Sequence, residues 1–285
     1  MERLKIAVQK SGRLHDGSIS LLKECGIRID NGFDQLIAPA MDFPADILFL
    51  RNSDIPQYLE DGVADIAILG ENVVIEKEKK CQVVENLGFS RCRLSLAIPK
   101  NNDYDGIGWF NNKKLATSYP NTLRKFLNEN NINAEIHEIS GSVEIAPNIG
   151  LADGICDLVS SGSTLFKNRL KEVEVILKSE ACLVKGPVLN NDKQIITNEI
   201  LFRIRSVLAS RNNKYILLNA PDDKLEDICN ILPGMKSPTI MPLALKGWSS
   251  VHSVISETDF WAVIGQLKKK GAQGILVIPI EKMVV

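Results

Sequence analysis

Hydrophobic positions along this chain fall in short runs that alternate with amphipathic stretches. KIAV (residues 5–8) precedes a helical pattern over 18–26, DILFLR (46–51) precedes another over 55–62, and DIAIL (65–69) follows. Apolar runs of strand length separated by helical stretches predict a parallel sheet covered on both faces. Gly26 and Gly62 stand where two of these helices stop, as C-terminal glycine caps. A second α/β unit begins near Arg93, with strands at 93–99 and 115–120, a helix over 121–131 opened by Asn121, and a strand at 134–139. Its last strand covers 173–179. The run 181–185 and the long helical stretch 191–210 then return to the first unit. Two antiparallel crossings between lobes make a hinge over a cleft, and such clefts are common ligand sites.

A third unit follows the polar linker Arg211, Asn212, Asn213. Its segments 215–221, 223–234, 237–245, 249–256, 258–271 and 272–280 read as strand, helix, strand, strand, helix, strand, the order of a ferredoxin-like βαββαβ module. The pattern is equally compatible with a regulatory module and with a structural appendage. The expected fold class is therefore α/β: a two-lobed core with a cleft, of the kind seen in periplasmic binding proteins, plus a C-terminal ferredoxin-like (ACT-like) module. The expected divisions are 1–92 with 180–211, then 93–179, then 212–285.

Composition removes several partners. The 285 residues include 34 Lys and Arg against 35 Asp and Glu, a net charge of −1, with no long basic run, which argues against a nucleic-acid or membrane footprint. The first apolar run is too brief for a secretory segment and no apolar stretch approaches 18 residues, so a cytoplasmic protein is expected. The six cysteines lack metal-ligand spacing and read as reduced core thiols; the three histidines form no ligand pair. Any metal is expected to arrive with substrate phosphates.

The most informative chemistry lies between Glu144 and Leu165. A strand-like run containing Asp157 leads at once into Ser160, Ser161, Gly162, Ser163 and Thr164. A small-residue turn after a strand presents successive backbone N–H groups, and a helix starting beyond it adds its positive pole, which together cradle phosphate. Charge-assisted hydrogen bonds contribute about 1.5–3 kcal/mol each and the helix dipole about 0.3–1 kcal/mol, so loop amides and hydroxyls dominate. A plain polar turn is the other reading of these five residues. Gln9 to Leu14 places Lys10 and Arg13 beside the Ser11–Gly12 turn after the first strand, either as a solvated charge pair or facing the ligand crevice. Arg51 ends its strand, where it can pair with Asp54 or Asp42, or grip two oxygens of a diphosphate. Glu71 is either a helix N-terminal acid or a site residue, and Glu144, with Ser142 as its cap, either a capping carboxylate or a ligand.

Asp157 resembles the acid that precedes the phosphate loop of phosphoribosyltransferases, although Leu158 stands where a second acid is usual. The order E, then GLAD, then ICDLVSSGSTL resembles the signature of the ATP phosphoribosyltransferase family, and QKSGRL, the R-x-x-D-I-P pattern from Arg51, GENV (70–73), CRLSLAIP and ATSYP extend the resemblance across the chain. It implies condensation of ATP with 5-phosphoribosyl 1-pyrophosphate, with Mg2+, as the first step of histidine biosynthesis. It further implies that Lys10, Ser11, Gly12 and Arg13 bind triphosphate or pyrophosphate, and that Arg51 takes leaving-group charge. Ribose and 5-phosphate fall to Asp157 and the loop 160–164, with Glu144 and Asp153 nearby. Glu71, Ser118 and Tyr119 fall to the nucleotide side, where Tyr119 packs on adenine or only closes the core. The third unit makes this the long form, which implies a dimer-to-hexamer assembly and inhibition by histidine bound near Asn219, Ser237, Thr239 and Gly274. Asn219 replaces an acid present in some members. A two-lobed binding protein without catalysis is the alternative from a different class.

Overall fold

The computed structural model describes residues 2–30, 35–232, 234 and 237–284. The first lobe contains β1 (Leu4–Gln9), α1 (Arg13–Glu24), β2 (Ile37–Pro39), β3 (Ala45–Leu50), α2 (Ile55–Glu60), β4 (Ile66–Gly70), α3 (Glu71–Lys77) and β5 (Gln82–Asn86). The second lobe contains β6 (Cys92–Pro99), β7 (Lys114–Thr117), α4 (Pro120–Glu129), β8 (Glu135–Glu138), β9 (Gly154–Val159), α5 (Ser163–Lys167) and β10 (Leu170–Ser179). Then β11 (Ala181–Lys185) joins the first sheet, whose order is β2-β3-β1-β4-β11-β5, while the second sheet runs β10-β6-β9-β7-β8.

The first sheet is mixed rather than wholly parallel. β1 pairs in parallel with β3 and β4, but β11 lies antiparallel to β4 and β5, and β2 antiparallel to β3. The returning strand enters from the opposite direction because it comes back from the second lobe, and β2 and β5 are short pieces with no clear period in the sequence. Ala7, Leu48, Leu69 and Val184 are buried in the first lobe, and Leu94, Leu96, Phe110 and Leu123 in the second.

Both expected glycine caps close their helices. Gly26 N–H donates to the Lys23 carbonyl (2.9 Å) and Ile27 N–H to Leu22 (3.0 Å), and Gly62 N–H and Val63 N–H reach Leu59 and Tyr58 in the same way. Gly26 and Gly62 have φ of 77° and 67°, which L-residues with a Cβ resist. At the hinge, Ala181 N–H donates to the Phe89 carbonyl (2.9 Å) and Leu87 N–H to Ala181 (2.9 Å), so the two crossings are tied to each other.

The chain divides into two compact units, Met1–Thr197 and Asn198–Val285, with the boundary inside α6 (Asn191–Arg211). There is no polar linker: helix α6 continues through Arg211 and β12 (Asn213–Pro221) begins two residues later, with Asn213 Nδ2 donating back to the Ala209 carbonyl (2.7 Å). Ile200, Ile204 and Val207 are buried at helical spacing within the second unit, where Ser210 Oγ donates to the Glu281 carbonyl and Met283 N–H to that of Ser206. The rest is α7 (Leu225–Ile231), β13 (Thr239–Pro242), β14 (Trp248–Ser256), α8 (Glu257–Lys269) and β15 (Gln273–Pro279). Its all-antiparallel sheet has the order β13-β14-β12-β15, as a ferredoxin-like module requires. The helix expected over 223–234 ends at Ile231, and Pro233 lies outside the described residues.

Candidate active site

Two loops meet across the cleft. β9 runs straight into the serine loop because Gly162, at φ 78°, turns the chain where Ser160 and Ser161 have left the sheet, and α5 begins at Ser163. α5 is only five residues long, so its dipole is slight and the loop amides and hydroxyls carry the anion-binding capacity. Ser160, Ser161, Ser163 and Thr164 are exposed. From the other lobe, Gly12 at φ 91° caps α1 without a side-chain bond, and Arg13 Nη1 donates to Ser160 Oγ at 3.1 Å. Together Arg13, Glu144, Asp157 and residues 158–165 line a pocket of about 320 Å³.

Asp157 is the tuned carboxyl of that pocket. Burial pushes it up, one hydrogen bond from Leu158 N–H (2.8 Å) pulls it partly back, and the charge of Glu144 raises it again, to about 6 from 3.8. Glu144 sits in a short 3-10 turn over Val143–Ile145; Ser142 does not cap it, since Ser142 is in the left-handed region (φ 52°) and makes no side-chain cap bond. Asp153 does not reach the pocket. It precedes β9 at the end remote from the loop, where its Oδ2 accepts from Lys114 N–H at 2.8 Å and closes the start of β7. Along an extended strand the four steps from 153 to 157 span about 13 Å, so proximity in sequence did not translate into proximity in the site.

The basic rim is formed by neighbouring strands. Lys10 N–H donates to the Leu50 carbonyl at 2.8 Å, which sets Lys10 beside Arg51 at the carboxyl ends of β1 and β3. Ser11 accepts through its carbonyl from Gln9 Nε2 at 2.6 Å, which shapes the turn. Neither expected ion-pair partner takes Arg51: Asp42 is held by both arms of the Arg28 fork, and Asp54 accepts from Ser53 Oγ at 2.9 Å. The Arg51 side chain is exposed.

The nucleotide-side residues separate into two places. Ser118 and Tyr119 line a cavity of about 480 Å³ with Asn52, Glu76 and Glu138. The Ser118 hydroxyl donates to the Ile139 carbonyl at 2.6 Å, so it is engaged in shaping the loop after β8. The Tyr119 ring packs on the second-lobe core and its oxygen accepts from Asn72 Nδ2 at 3.2 Å; burial and the nearby Asp157 charge push its hydroxyl up, and it stays neutral. α4 begins at Pro120 rather than at Asn121, with Tyr119 as its N-cap residue. Glu71 heads α3 on the hinge side, in a separate cavity of about 530 Å³ with Arg91, Arg93, Ser160 and Lys178.

Sequence reasoning missed the residues that hold the loop. Arg93 donates from Nε and Nη2 to Glu172 (2.5 Å each) and from Nη1 to the Ser160 carbonyl (3.2 Å). Ser95 Oγ donates to the same carboxylate at 2.7 Å. This bidentate pair fixes the loop where it leaves β9. The alternation of Arg93 and Ser95 on one strand was the available signal. Their partner Glu172 lies on another strand.

In the C-terminal module, Asn219 and Gly274 are adjacent: a Cβ on Gly274, whose φ is 56°, would lie 3.2 Å from Asn219 Nδ2. Thr239 is two strands away, paired with His252, and Ser237 is exposed just ahead of β13. The cluster around Thr239 is Tyr215, His252 and Ser250, with Tyr215 Oη 2.7 Å from His252 Nδ1 and Ser250 Oγ 2.9 Å from Nε2.

Residues 51–206 match the family profile described as HisG: ATP phosphoribosyltransferase, and residues 210–282 match HisG, C-terminal domain. This chain belongs to the ATP phosphoribosyltransferase family. It carries both segments, the arrangement of the long form. The ATP phosphoribosyltransferase of Bacteroides thetaiotaomicron is 56% identical over 282 residues, covering 99% of this chain and all of the relative. That of Cytophaga hutchinsonii is also 56% identical, over 99% and 98% of the two chains. A chain of the ATP phosphoribosyl transferase (HisG:HisZ) complex from Thermotoga maritima superposes with a TM-score of 0.63 at 29% identity, over 72% of this chain and 98% of that one. The probable amino-acid transporter extracellular-binding protein ytmK of Bacillus subtilis, with a TM-score of 0.50 at 16% identity over 73% and 93%, shares the two-lobed fold alone.

Proposed function

We infer that the chain transfers the 5-phosphoribosyl group from 5-phosphoribosyl 1-pyrophosphate to N1 of ATP, releasing pyrophosphate and committing ATP to histidine synthesis. The observation that carries this reading is the serine loop at the end of β9 with the half-buried Asp157 directly before it. In this assignment the loop 160–164 holds the 5-phosphate and Asp157 accepts the ribose hydroxyls. Arg13 approaches from the opposite lobe, and Lys10 and Arg51 face the departing diphosphate. Adenine N1 already offers a lone pair, so the residues need only align two substrates and stabilise developing charge. The pair Asp157 and Glu144 fits a mostly hydrated Mg2+ delivered with the diphosphate, whose contribution is neutralisation of leaving-group charge. Among the described residues no helix is long and apolar enough to cross a membrane, and a cytoplasmic site of action belongs to the same proposal.

The test is absorbance growth from N1-phosphoribosyl-ATP in a mixture of both substrates with magnesium. Growth that requires both substrates and releases one pyrophosphate per product supports the assignment; tight binding of either without pyrophosphate release rejects it.

Regulation is part of the proposal: histidine bound near Asn219, Ser237, Thr239 and Gly274 inhibits, and the enzyme assembles as dimers and hexamers. Asn219 offers a neutral oxygen where a carboxylate would meet the effector's ammonium. A charged acceptor strengthens such a bond by about 1 kcal/mol. Asn219→Asp is therefore expected to lower the histidine concentration for half inhibition about fivefold with kcat unchanged. Inhibition curves that coincide for the two proteins would place the effector's amino group elsewhere.

A further inference from the structure

Helix α3 belongs to the first lobe, following β4 without a break, yet it is hydrogen-bonded to the second lobe along its length. At its start, Glu71 N–H donates to the Glu180 carbonyl (3.0 Å) at the hinge. Asn72 N–H donates to Ser179 Oγ (3.0 Å), and that hydroxyl donates back to Asn72 Oδ1 (2.9 Å). The remaining polar group of the same side chain, Nδ2, donates to Tyr119 Oη (3.2 Å). One turn on, the Glu76 carboxylate accepts from Asn121 N–H (3.0 Å), Thr122 N–H (2.9 Å) and Thr122 Oγ1 (2.7 Å), while Asn121 Nδ2 donates to the Glu76 carbonyl (3.0 Å). Asn72 and Glu76 are 3% and 4% exposed.

These contacts are specific in chemistry as well as in number. Tyr119, the N-cap residue of α4, makes no side-chain cap bond, and Glu76 from the other lobe supplies the carboxylate that the first-turn N–H groups require. Gly70 is part of the fitting: a Cβ there would lie 2.4 Å from Asn72 Oδ1, so the asparagine folds back onto the strand end only over glycine. The spacing of Asn72 and Glu76, four apart in a helix, puts both on the face turned to the second lobe.

We propose that Asn72 and Glu76 are positioning residues of the transferase: through Tyr119 and the N-terminus of α4 they hold the two lobes at the working angle before substrates arrive. The proposal rests on the phosphoribosyl-transfer reading and adds that the cleft is set in advance. If only a fraction of molecules has the lobes aligned, apparent affinity for both substrates falls by that fraction, whereas saturating substrates restore alignment. Loss of these bonds therefore appears in KM and spares kcat.

The experiment compares the full chain with Glu76→Ala, the milder Glu76→Gln and Asn72→Ala, in steady-state kinetics and in amide hydrogen exchange of the peptide spanning 119–123. In Glu76→Gln the side-chain oxygen still serves Thr122, but an amide NH2 now faces an N–H donor. The expected result for Glu76→Ala is KM raised about tenfold for both ATP and the sugar diphosphate with kcat within about twofold, and a smaller rise for Glu76→Gln. In Asn72→Ala, which keeps the Glu76 acceptor, exchange at Asn121 and Thr122 should accelerate in the free protein and return to the wild-type rate when both substrates saturate. Loss of active protein with unchanged KM, or accelerated exchange in Asn72→Ala that substrates do not reverse, would make Asn72 and Glu76 ordinary stabilising residues and overturn the proposal. Should Glu76→Ala fail to fold, unchanged KM in Glu76→Gln and Asn72→Ala overturns it alone. Wild-type protein without phosphoribosyl-ATP formation would instead reject the transferase reading, independently of the exchange result.

Discussion

Asp157→Asn is expected to make the protein more stable and nearly inactive. The sign follows from the direction of the shift: the folded carboxyl titrates near 6 and the free one near 3.8, so between these values the native chain binds more protons than the unfolded one. Stability of the wild type therefore falls as pH rises through that window and stays reduced above it, because a charge has been forced into a poorly hydrated place. The full interval corresponds to about 3 kcal/mol, and residual solvent contact reduces it to about 1–3 kcal/mol. Asparagine carries no charge to desolvate. Denaturant unfolding at about pH 4 and pH 8 should show the variant gaining on the wild type by that amount at the higher pH. In the kinetics, losing one charge-assisted contact to the ribose costs about 1.5–3 kcal/mol, or about ten- to a hundredfold in kcat/KM. The wild-type profile of kcat/KM should fall on the acid side with an apparent pKa of about 6. A variant that keeps that acid limb would show that another group is responsible.

The same residue shows what the sequence could convey. Asp157 and the serine loop were legible because their chemistry is local: a strand, then small residues, then one helical turn, all between Gly154 and Lys167. Asp153 was misplaced for the complementary reason, since a strand carries neighbouring residues to opposite ends of a lobe. The sheet cores and the module after α6 follow directly from period and order, and both glycine caps followed from glycine's tolerance of positive φ. Illegible features depend on distant partners. Glu76 meets Asn121 across 45 residues and Arg93 meets Glu172 across 79, and nothing in either local segment announces a buried carboxylate that caps a helix of the other lobe. The apparent linker at Arg211–Asn213 reads as polar, yet Asn213 uses its side chain to finish a helix and its backbone to begin a strand.

Arg51→Ala is expected to lower kcat by about 10²–10³ while leaving ATP affinity within about threefold, because the guanidinium acts on charge that appears only as pyrophosphate leaves. The geometry supports that division. Arg51 is exposed at the carboxyl end of β3, next to Lys10 just beyond β1; Asp42 is ion-paired with Arg28, and Asp54 accepts from the Ser53 hydroxyl rather than from Arg51. An exposed cation at a strand end, with no ion-paired carboxylate among the described residues, keeps its charge for an incoming anion. Arg51→Lys should recover only part of the loss, since an ammonium cannot span two diphosphate oxygens as a planar fork does. Pre-steady-state measurement with saturating ATP separates the cases: a slowed burst of phosphoribosyl-ATP with unchanged ATP dissociation assigns Arg51 to the leaving group. A raised ATP dissociation constant with a normal burst would move it to the nucleotide side, leaving Lys10 and Arg13 to meet the diphosphate.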